Sequence, residues 1–349
     1  MKETVVVGVS GGVDSSVCAY LLKEDGYNVI GATMLTGDFS GTQESTIKEA
    51  KRICDLLEIP HITLDYSKQF KEEIIEGYFI KEYLSGRTPN PCVMCNRQIK
   101  FEMLRSYASE IGAQYIATGH YARPVLLENG RYSLQMADNE KDQTYALFNL
   151  SQEQLSMLKL PLGERGLTKS EVREIAQKIH IDVANKPDSQ DICFIPDGNY
   201  SAFISESSTM ESKKGLFLDF EGNSYGEHKG IANYTIGQRK GLGIVFGIPM
   251  YVCRIDAESG NVILGPNDKL FNTRVLVKSF NAVGMERPDK ETRVFGKIRY
   301  AQKKSPCTIY MEEDVLYCEF DEPQRAITSG QAAVFYDENN VLLGGGIII

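Results

Sequence analysis

The sequence predicts an α/β protein. A doubly wound parallel sheet forms the N-terminal domain, and a small central domain and a C-terminal β-barrel follow. Apolar strand-like runs alternate with amphipathic helical runs over about the first 120 residues, which is the pattern of a parallel sheet with helices on both faces. After about residue 200, short β-rich segments alternate with glycine-containing turns, as in small β domains. The predicted domains are 1–204, 205–272 and 273–349.

The N-terminal alternation can be assigned element by element. Residues 4–9 form a continuous apolar run, as expected for a strand that is buried on both faces. Ligands on such sheets bind beyond the carboxyl ends of the strands, so the glycine-rich segment after the first strand and Gly119-His120 are expected to meet there. The other strands are predicted at 28–34, 61–64 and 115–118, and the helices at 15–24, 45–57, 70–83 and 98–111.

The second half of the chain is organised around turns. Residues 205–214 are rich in Ser, Lys and Glu and are predicted to be a linker. Between 215 and 247, glycine recurs every few residues, which predicts short strands in a small domain. From residue 273, strands rich in Val, Ile and Tyr alternate with turns, which predicts the barrel.

Length and charge set broad limits. The 349 residues suggest two or three domains. The net charge is −9, from 47 acidic and 38 basic residues, and argues weakly against a nucleic-acid partner. One stretch, 292–310, has no acidic residue, and on charge alone we interpret it as a solvated strand edge. Its basic residues are Arg293, Lys297, Arg299, Lys303 and Lys304.

The cellular location is predicted from absent signals. No apolar run is long enough to span a bilayer, and the N-terminus lacks the apolar stretch of a signal peptide. We therefore expect a cytoplasmic protein with no membrane partner. Eight cysteines in such a chain are not expected to form a disulfide framework.

A glycine loop follows the first strand and opens the first helix. Residues 8–16 read Gly-Val-Ser-Gly-Gly-Val-Asp-Ser-Ser, and such a loop brings backbone N–H groups and the positive end of a helix to a phosphate. The hydroxyls of Ser10, Ser15 and Ser16 can donate to phosphate oxygens, while Asp14 either holds Mg²⁺ or caps the helix. The Gly-Lys-Ser/Thr ending of a Walker loop and the G-x-G-x-x-G pattern are both absent. The loop resembles that of the ATP-pyrophosphatase family, which holds pyrophosphate while ATP adenylates an oxygen.

Three cysteines stand among turn residues, whereas the other five lie in apolar helical or β-like segments and are predicted to be structural. Cys92 and Cys95 precede a predicted helix, so their thiolates should be stabilised and their pKa lowered. With Cys193, they leave three alternatives open. Zinc usually needs four ligands, an iron–sulfur cluster can be held by three cysteines, and Cys95 and Cys193 can be a catalytic pair for sulfur transfer.

Strings spread over nearly the whole chain resemble the tRNA-specific 2-thiouridylase family, in the order found in that family. They are residues 8–16, 90–91, 95–101, 117–121, 141–145, 188–189, 192–195, 234–243, 330–336 and 344–346. The resemblance implies an N-terminal domain like the adenine nucleotide alpha hydrolases. It also implies that ATP adenylates the C2 oxygen of the wobble uridine and that sulfur from a cysteine persulfide replaces it. The implied tRNAs are those for lysine, glutamate and glutamine, and the implied sulfur donor is a cysteine desulfurase or a sulfur relay protein.

The resemblance also implies roles for individual residues. Cys193 carries the persulfide, and Cys95 is the partner nucleophile that ends in a disulfide with it, either after direct attack on uridine or after release of free sulfide. Residues implied to bind ATP are Gly8, Val9, Ser10, Gly11, Gly12, Val13, Asp14, Ser15, Met34 and Gly119. Residues implied to contact the target base are Asn90, Pro91 and Cys92, and other tRNA contacts are His120, Lys141, Asp142, Gln143, Arg299, Tyr300 and Gln331. Arg299 and Tyr300 fall in the basic stretch, which then becomes part of a predicted tRNA-binding surface.

Two departures from the family pattern are visible. Many members have Asp where this chain has Cys92, which makes a three-cysteine iron–sulfur site of Cys92, Cys95 and Cys193 chemically easier here. The family often has Trp shortly after the adenine-contacting Met, whereas this chain has Thr36-Gly37-Asp38 and no tryptophan. Two other functions are alternatives: adenylation followed by amidation, which needs no reactive cysteine pair, and a tRNA-binding or iron–sulfur module without catalysis.

Overall fold

The structure is a computed structural model, which describes residues 2–39, 41, 43–137, 140–181, 192–208, 212–244 and 247–349. The string at 188–189 and part of the predicted linker, 209–211, lie outside the described residues. The architecture is a parallel α/β domain, a small mixed sheet and a closed barrel. The predicted fold class is therefore confirmed.

The N-terminal domain is built on five parallel strands. Its strands and those of a following hairpin are β1 Thr4–Gly8, β2 Asn28–Leu35, β3 His61–Asp65, β4 Tyr115–Ala117, β5 Ala122–Leu126, β6 Tyr132–Met136 and β7 Leu158–Lys159. The sheet order is β3-β2-β1-β4-β7. The apolar run of β1 lies at its centre, and Val5, Val6 and Val7 have no exposed surface.

Helices cover both faces of this sheet. They are α1 Val13–Glu24, α2 Gln43–Leu56, α3 Ser67–Gln69, α4 Lys81–Leu84, α5 Pro91–Cys95, α6 Glu102–Glu110, α7 Thr144–Leu147, α8 Gln152–Ser156, α9 Pro161–Glu164, α10 Lys169–Lys178 and α11 Tyr200–Ser207. A π-helical segment, Phe70–Ile80, joins α3 to α4, and a second, Asn96–Phe101, joins α5 to α6. Among the helices of the described ranges, none has both the length and the apolar character needed to cross a bilayer.

The central region is a small four-stranded sheet. It consists of β8 Leu216–Leu218, β9 Ser224–Glu227, β10 Tyr251–Ile255 and β11 Val262–Gly265, in the order β10-β11-β8-β9. Two short 3-10 turns, Ile231–Asn233 and Asn267–Leu270, flank these strands. The short strands between glycines agree with the predicted pattern.

The C-terminal region is a closed antiparallel barrel. Its strands are β12 Phe271–Ala282, β13 Thr292–Lys297, β14 Ser305–Glu312, β15 Val315–Arg325, β16 Ala332–Tyr336 and β17 Leu342–Ile348, in the order β12-β15-β14-β13-β16-β17. The barrel closes because β17 also pairs with β12, with Val277 opposite Ile348. Strand β12 begins two residues before the predicted domain start at 273, and the two domain boundaries stay predictions.

Two features differ from the prediction. The segment around Cys92 and Cys95 was expected to be a loop, but a helix begins at Pro91; proline suits the first helical position because its missing N–H has no partner there. The hairpin β5–β6 was not predicted. It docks onto the barrel, where Arg131 donates to the carbonyl of Val283 (2.8 Å) and Ser133 to that of Leu342 (2.5 Å).

Candidate nucleotide and sulfur-transfer site

The glycine loop lies where β1 ends and α1 begins. Gly11 has φ +71°, a left-handed conformation that favours glycine. Gly12 has extended backbone, and no side chain caps the helix. The loop is braced internally, because the N–H of Ser10 donates to Ser15 Oγ at 3.2 Å and the two serine hydroxyls are 3.3 Å apart. The N-terminus of α1 therefore presents uncapped backbone donors beside glycine, which suits an anionic ligand.

The structure contradicts two expectations for this loop, the helix-capping role of Asp14 and the phosphate-binding role of Ser16. Asp14 is in the first turn of α1 and is not its cap, so the capping alternative is wrong. Ser16 has no exposed surface and donates to the carbonyl of Gly12 at 2.8 Å. Its hydroxyl is therefore used inside the helix rather than offered to a phosphate.

The carboxylate of Asp14 has two partners from distant parts of the chain. Lys169 Nζ lies 2.8 Å from both carboxylate oxygens, and the hydroxyl of Tyr121 donates to Oδ1 at 2.9 Å. A carboxylate at this position has the donor chemistry that Mg²⁺ prefers. Asp14 thus fits the predicted metal-binding role, with Lys169 as its cationic partner in this structure.

Gly119 packs directly on the loop. A side-chain Cβ at this position would lie 2.6 Å from the carbonyl carbon of Asp14 and 2.7 Å from the backbone nitrogen of Ser15. Glycine is therefore required here by close approach of two backbones. Met34, near the carboxyl end of β2, is half-buried. It thus lies at the same edge of the sheet as the loop and Gly119, as the parallel pairing of β1, β2 and β4 requires.

His120 is the next residue, and it is neutral at ordinary pH. Burial, assisted by the charge of Lys100, lowers the pKa of His120 to about 3. Its Nδ1 lies 2.8 Å from the hydroxyl of Thr118, and its ring lies against Phe101 with centroids 5.7 Å apart. A neutral imidazole can hydrogen-bond to a base or a ribose but cannot form an ion pair with a phosphate.

Lowering the pH is expected to destabilise the protein through His120. The unfolded chain binds this proton near its ordinary pKa of 6.5 and the folded chain only near 3. The contribution of neutral His120 to the free energy of unfolding is therefore fully present above about pH 6.5 and is lost as the pH falls below that value. The expected loss at about pH 5 is about 2 kcal/mol. The loss is measured by denaturant unfolding of the wild type and of His120→Gln, each at about pH 5 and at a pH above about 6.5. An equal loss in both proteins would contradict the assignment to His120.

The three cysteines differ in exposure. Cys92 is exposed in the first turn of α5, Cys95 at the end of that helix is 5% exposed, and Cys193 is exposed. Cys95 belongs to an apolar cluster that includes Phe194, the residue after Cys193. The ring of Phe194 packs edge-on against Phe79 at 5.1 Å. This shared cluster holds the Cys95 helix and the Cys193 segment against each other.

The expected low pKa of Cys95 is wrong. Burial raises the pKa of its thiol to about 12, although the charge of Lys100 acts in the opposite direction. The reason is that Cys95 ends its short helix inside an apolar cluster, while Cys92 stands at the N-terminal end. Cys193 is exposed as a residue, yet the surrounding protein still raises the pKa of its thiol by desolvation.

Lys100 is the cation common to all three thiols. Burial acts to lower its pKa, but Cys95, Cys92 and Cys193 act in the opposite direction, and the net pKa is raised. Lys100 lies in the π-helical segment after α5, a winding often found at functional sites. The charge of Lys100 would thus stabilise the thiolate of Cys95 or Cys193 once it forms.

The cysteines are not arranged as a metal-ligand set. Within the part of the chain that the structure describes, no three His, Cys, Asp or Glu side chains are grouped so as to hold a metal ion. An iron–sulfur cluster on Cys92, Cys95 and Cys193 would therefore require at least one of these side chains to move.

The segment before α5 is held by the barrel. Gln331 Nε2 donates to the carbonyl of Thr88 at 2.9 Å, and the N–H of Thr88 donates to the carbonyl of Ser329 at 2.8 Å. Gln331 therefore positions the backbone of residues 88–89, which leads to Asn90 and Pro91. An open cavity of about 450 Å³ adjoins this contact, and residues from all three regions of the chain line it. It is lined by Thr88, Thr235, Ile236, Gly237, Gln238, Arg299, Thr328 and Gln331.

The triplet Lys141-Asp142-Gln143 is connected to the glycine loop through hydrogen bonds of Tyr121. The N–H of Tyr121 donates to Gln143 Oε1 at 2.9 Å, and the N–H of Gln143 donates to the carbonyl of Tyr121 at 2.9 Å. The carboxylate of Asp142 accepts from Thr144 Oγ1 at 2.8 Å, and burial raises its pKa. Lys141 is exposed. Asp142 and Gln143 thus shape this loop, and Tyr121 connects it to Asp14.

Most cations of the basic stretch are paired, bonded or buried in the folded chain. Arg293 is paired with Asp321 of β15 at 2.7 Å, and Lys297 is 7% exposed. Arg299 donates to the carbonyl of Ala326 at 2.6 Å. Lys304 donates to the carbonyl of Asp337 at 3.0 Å. Folding therefore engages four of the five cations and leaves Lys303 exposed. Tyr300, in the same stretch, is 47% exposed.

Sequence reasoning missed Lys169, Tyr121 and Lys100 as site residues. Thr168-Lys169-Ser170-Glu171 is readable as a helix start. Nothing in the sequence indicates that this start lies beside a loop some 150 residues earlier. Tyr121 and Lys100 stand within strings that were recognised, but their partners depend on tertiary contacts.

The sheet, the loop and the strand-end residues define a nucleotide-binding α/β protein of the HUP class, joined to two β domains. Family models match all three regions: "tRNA methyl transferase HUP domain" at residues 3–197, "tRNA methyl transferase PRC-barrel domain" at 201–266 and "Aminomethyltransferase beta-barrel domain" at 272–348. The chain belongs to the tRNA-specific 2-thiouridylase family.

Full-length relatives support this membership. A tRNA-specific 2-thiouridylase MnmA of Lachnoclostridium phytofermentans is 49% identical and covers 100% of both chains. A protein of the same name from Clostridioides difficile is 46% identical over 100% of this chain and 98% of the relative. Among solved structures, a 4-thiouridine synthetase–RNA complex with bound ATP is distant, with TM-score 0.42, 17% identity and coverage of 59% of this chain and 50% of the other.

Proposed function

We propose that this chain is a tRNA uridine 2-sulfurtransferase, which uses ATP to convert the anticodon wobble uridine to 2-thiouridine and releases AMP and pyrophosphate. One observation carries the proposal: the nucleotide loop and the cysteines adjoin. Gly119 packs on the loop at Asp14, and the ring of His120 lies 5.7 Å from that of Phe101, in the segment that directly follows Cys95. Cys95 in turn shares an apolar cluster with Phe194, the residue after Cys193. An activated oxygen and a sulfur donor can therefore meet in one site.

The chemistry follows from these residues. The loop from Ser10 to Ser15 holds the phosphates while the C2 oxygen of uridine attacks the α-phosphorus of ATP and pyrophosphate leaves. The terminal sulfur of a persulfide on Cys193 then bonds to C2, and the oxygen leaves with AMP. Cys95 attacks the Sγ of Cys193, which releases 2-thiouridine and forms a disulfide that an external thiol reduces. In the alternative route, Cys95 frees sulfide first, and the same disulfide results.

The remaining roles are assigned by position. Asp14 is the residue that would hold Mg²⁺, which when bound offsets the charge of the phosphates. Asn90, Pro91 and Cys92 directly follow the backbone segment that Gln331 holds, residues 88–89, and are proposed to contact the target base. The proposed macromolecular partners are tRNAs for lysine, glutamate and glutamine and a cytoplasmic sulfur-donor protein.

Nucleoside mass spectrometry tests the function directly. Unmodified tRNA is incubated with the protein, ATP and a persulfide or sulfide source, and its digested nucleosides are analysed. We expect 2-thiouridine at the wobble position and only when ATP is present. An unchanged nucleoside profile would sink the proposal.

The same assay separates the other candidate functions. Methyl transfer, which the family-model descriptions name, would give a methylated nucleoside that depends on a methyl donor instead of ATP and sulfur. Amidation would survive loss of both Cys95 and Cys193. A binding module without catalysis would keep its function in Asp14→Ala.

The iron–sulfur alternative for Cys92, Cys95 and Cys193 has its own test. Anaerobically purified protein that carries a cluster shows broad visible absorption and bound iron. Colourless, iron-free and fully active protein would exclude it and leave the persulfide pair.

Replacing Lys303 is expected to weaken tRNA binding more than replacing Lys304. The exposed Lys303 can pair with a phosphate, so Lys303→Ala should reduce the slope of log affinity against log salt by about 1. Lys304 already contacts the carbonyl of Asp337 and lies 4.4 Å from the ring centre of Phe295, so Lys304→Ala should mainly lower thermal stability. Binding titrations at several salt concentrations measure both. Equal binding by Lys303→Ala and wild type would remove Lys303 from the tRNA surface.

A further inference from the structure

Lys169 is brought to the glycine loop by a helix from a distant part of the chain. Its Nζ lies 2.8 Å from both carboxylate oxygens of Asp14, and its side chain is only 17% exposed. Asp14 is the second residue of α1 and belongs to the segment in which the glycine loop passes into that helix. A lysine charge is therefore paired with a carboxylate in the segment that would receive the phosphates of ATP.

The position of Lys169 is fixed independently of this ion pair. Thr168 and Glu171 form a capping box, in which the N–H of Thr168 donates to the Glu171 carboxylate at 2.7 Å, so that α10 begins at Lys169. Val172 and Ala176 of the same helix are fully buried in a cluster shared with Val17 of α1. The packing of α10 against α1 thus holds the lysine stem beside the loop.

This placement is unfavourable for helix stability. A cation in the first turn opposes the helix dipole, and covering an ammonium group costs hydration energy. Asp14 offsets part of that cost. A covered cation beside the uncapped N-terminus of α1 becomes favourable once a polyanion binds there.

The geometry points to Lys169 as a further phosphate-binding residue of the ATP site, which contacts the phosphates that leave as pyrophosphate. This inference rests on the proposed function only in that the loop binds ATP. Asp14 holds the ammonium group in place before ATP binds, and the phosphates share it afterwards. No proton transfer or covalent step is involved.

Calorimetric titrations without tRNA test the role. Lys169→Met removes the charge, Lys169→Arg keeps it, and Lys178→Met is the control at the exposed far end of the same helix. Each protein is titrated with magnesium–ATP, inorganic pyrophosphate and AMP. We expect Lys169→Met to bind ATP and pyrophosphate about tenfold or more weakly, AMP binding to stay unchanged, Lys169→Arg to recover most of the loss, and Lys178→Met to match wild type.

Two results would overturn the inference. Equal weakening for ATP, pyrophosphate and AMP would mean that Lys169 only supports the fold. Unchanged or tighter ATP binding in Lys169→Met would mean that it only neutralises Asp14. Because no tRNA or sulfur source is present, these outcomes are independent of whether the wild type thiolates uridine.

Discussion

Cys193→Ser is expected to abolish formation of 2-thiouridine, with a loss of at least about a thousandfold, as for removal of other covalent nucleophiles. Serine cannot carry a persulfide, so no sulfur reaches C2. Adenylation uses the glycine loop instead, and pyrophosphate release in the presence of tRNA should persist. The measurement pairs pyrophosphate release with nucleoside analysis, using a persulfide-loaded donor.

Cys95→Ser should cause a comparable loss by a different route. Its buried thiol, with a pKa raised to about 12 by burial, must become accessible before it attacks Cys193. Without Cys95, the direct route stops at an adduct in which Cys193 is joined to the uridine through a disulfide, whereas the sulfide route stops at the Cys193 persulfide. Intact-protein mass spectrometry with alkylation detects either species and distinguishes the two routes. Cys253→Ser is the control, because Cys253 lies in β10 of the central sheet. Full activity in either site variant would refute the cysteine pair.

Gly119→Ala is expected to damage the nucleotide site without removing a functional group. The new methyl carbon would lie 2.6 Å from Asp14 and 2.7 Å from Ser15 backbone atoms, so the loop must shift. Such overpacking costs typically about 1–3 kcal/mol, and a displacement of about 1 Å at a reacting site can cost about a hundredfold in rate. We expect weaker ATP binding and a thiolation rate reduced about a hundredfold.

Gly247→Ala is the matched control for this substitution. Among the residues that the structure describes, none has an atom within 4 Å of a Cβ at Gly247, and the φ of Gly247 is not in the left-handed region. ATP titration, thermal melting and thiolation are measured for both variants. Normal ATP affinity in Gly119→Ala would show that the loop tolerates the added carbon and would contradict its role as a packing constraint.

The hairpin β5–β6 shows where local signals were available but unused. Asn129-Gly130 separates its two strands, and this dipeptide is a strong turn signal. The docking of the hairpin onto the barrel could not be predicted from the sequence, because Arg131 and Ser133 bond to barrel residues some 150 and 210 positions away. Local pattern can predict such an element, but its partner depends on the folded chain.

The charge of the barrel shows the converse. The stretch from 292 to 310 contains five basic residues and no acidic one, yet Arg293 meets Asp321 across the sheet and Lys297 is buried. A linear pattern cannot show which cations have partners, because β-sheet neighbours come from other strands.

The sequence by itself determined the fold class, the position of the glycine loop and the choice of Cys92, Cys95 and Cys193 as the chemically distinct cysteines. Those features depend on local periodicity, turn chemistry and family strings. Only the tertiary structure decided that Lys169 and Tyr121 meet Asp14 and that Cys95 is buried with a raised pKa, against which the charge of Lys100 acts. Burial and charge pairing arise from residues far apart in sequence, and these two effects set the electrostatics of the site.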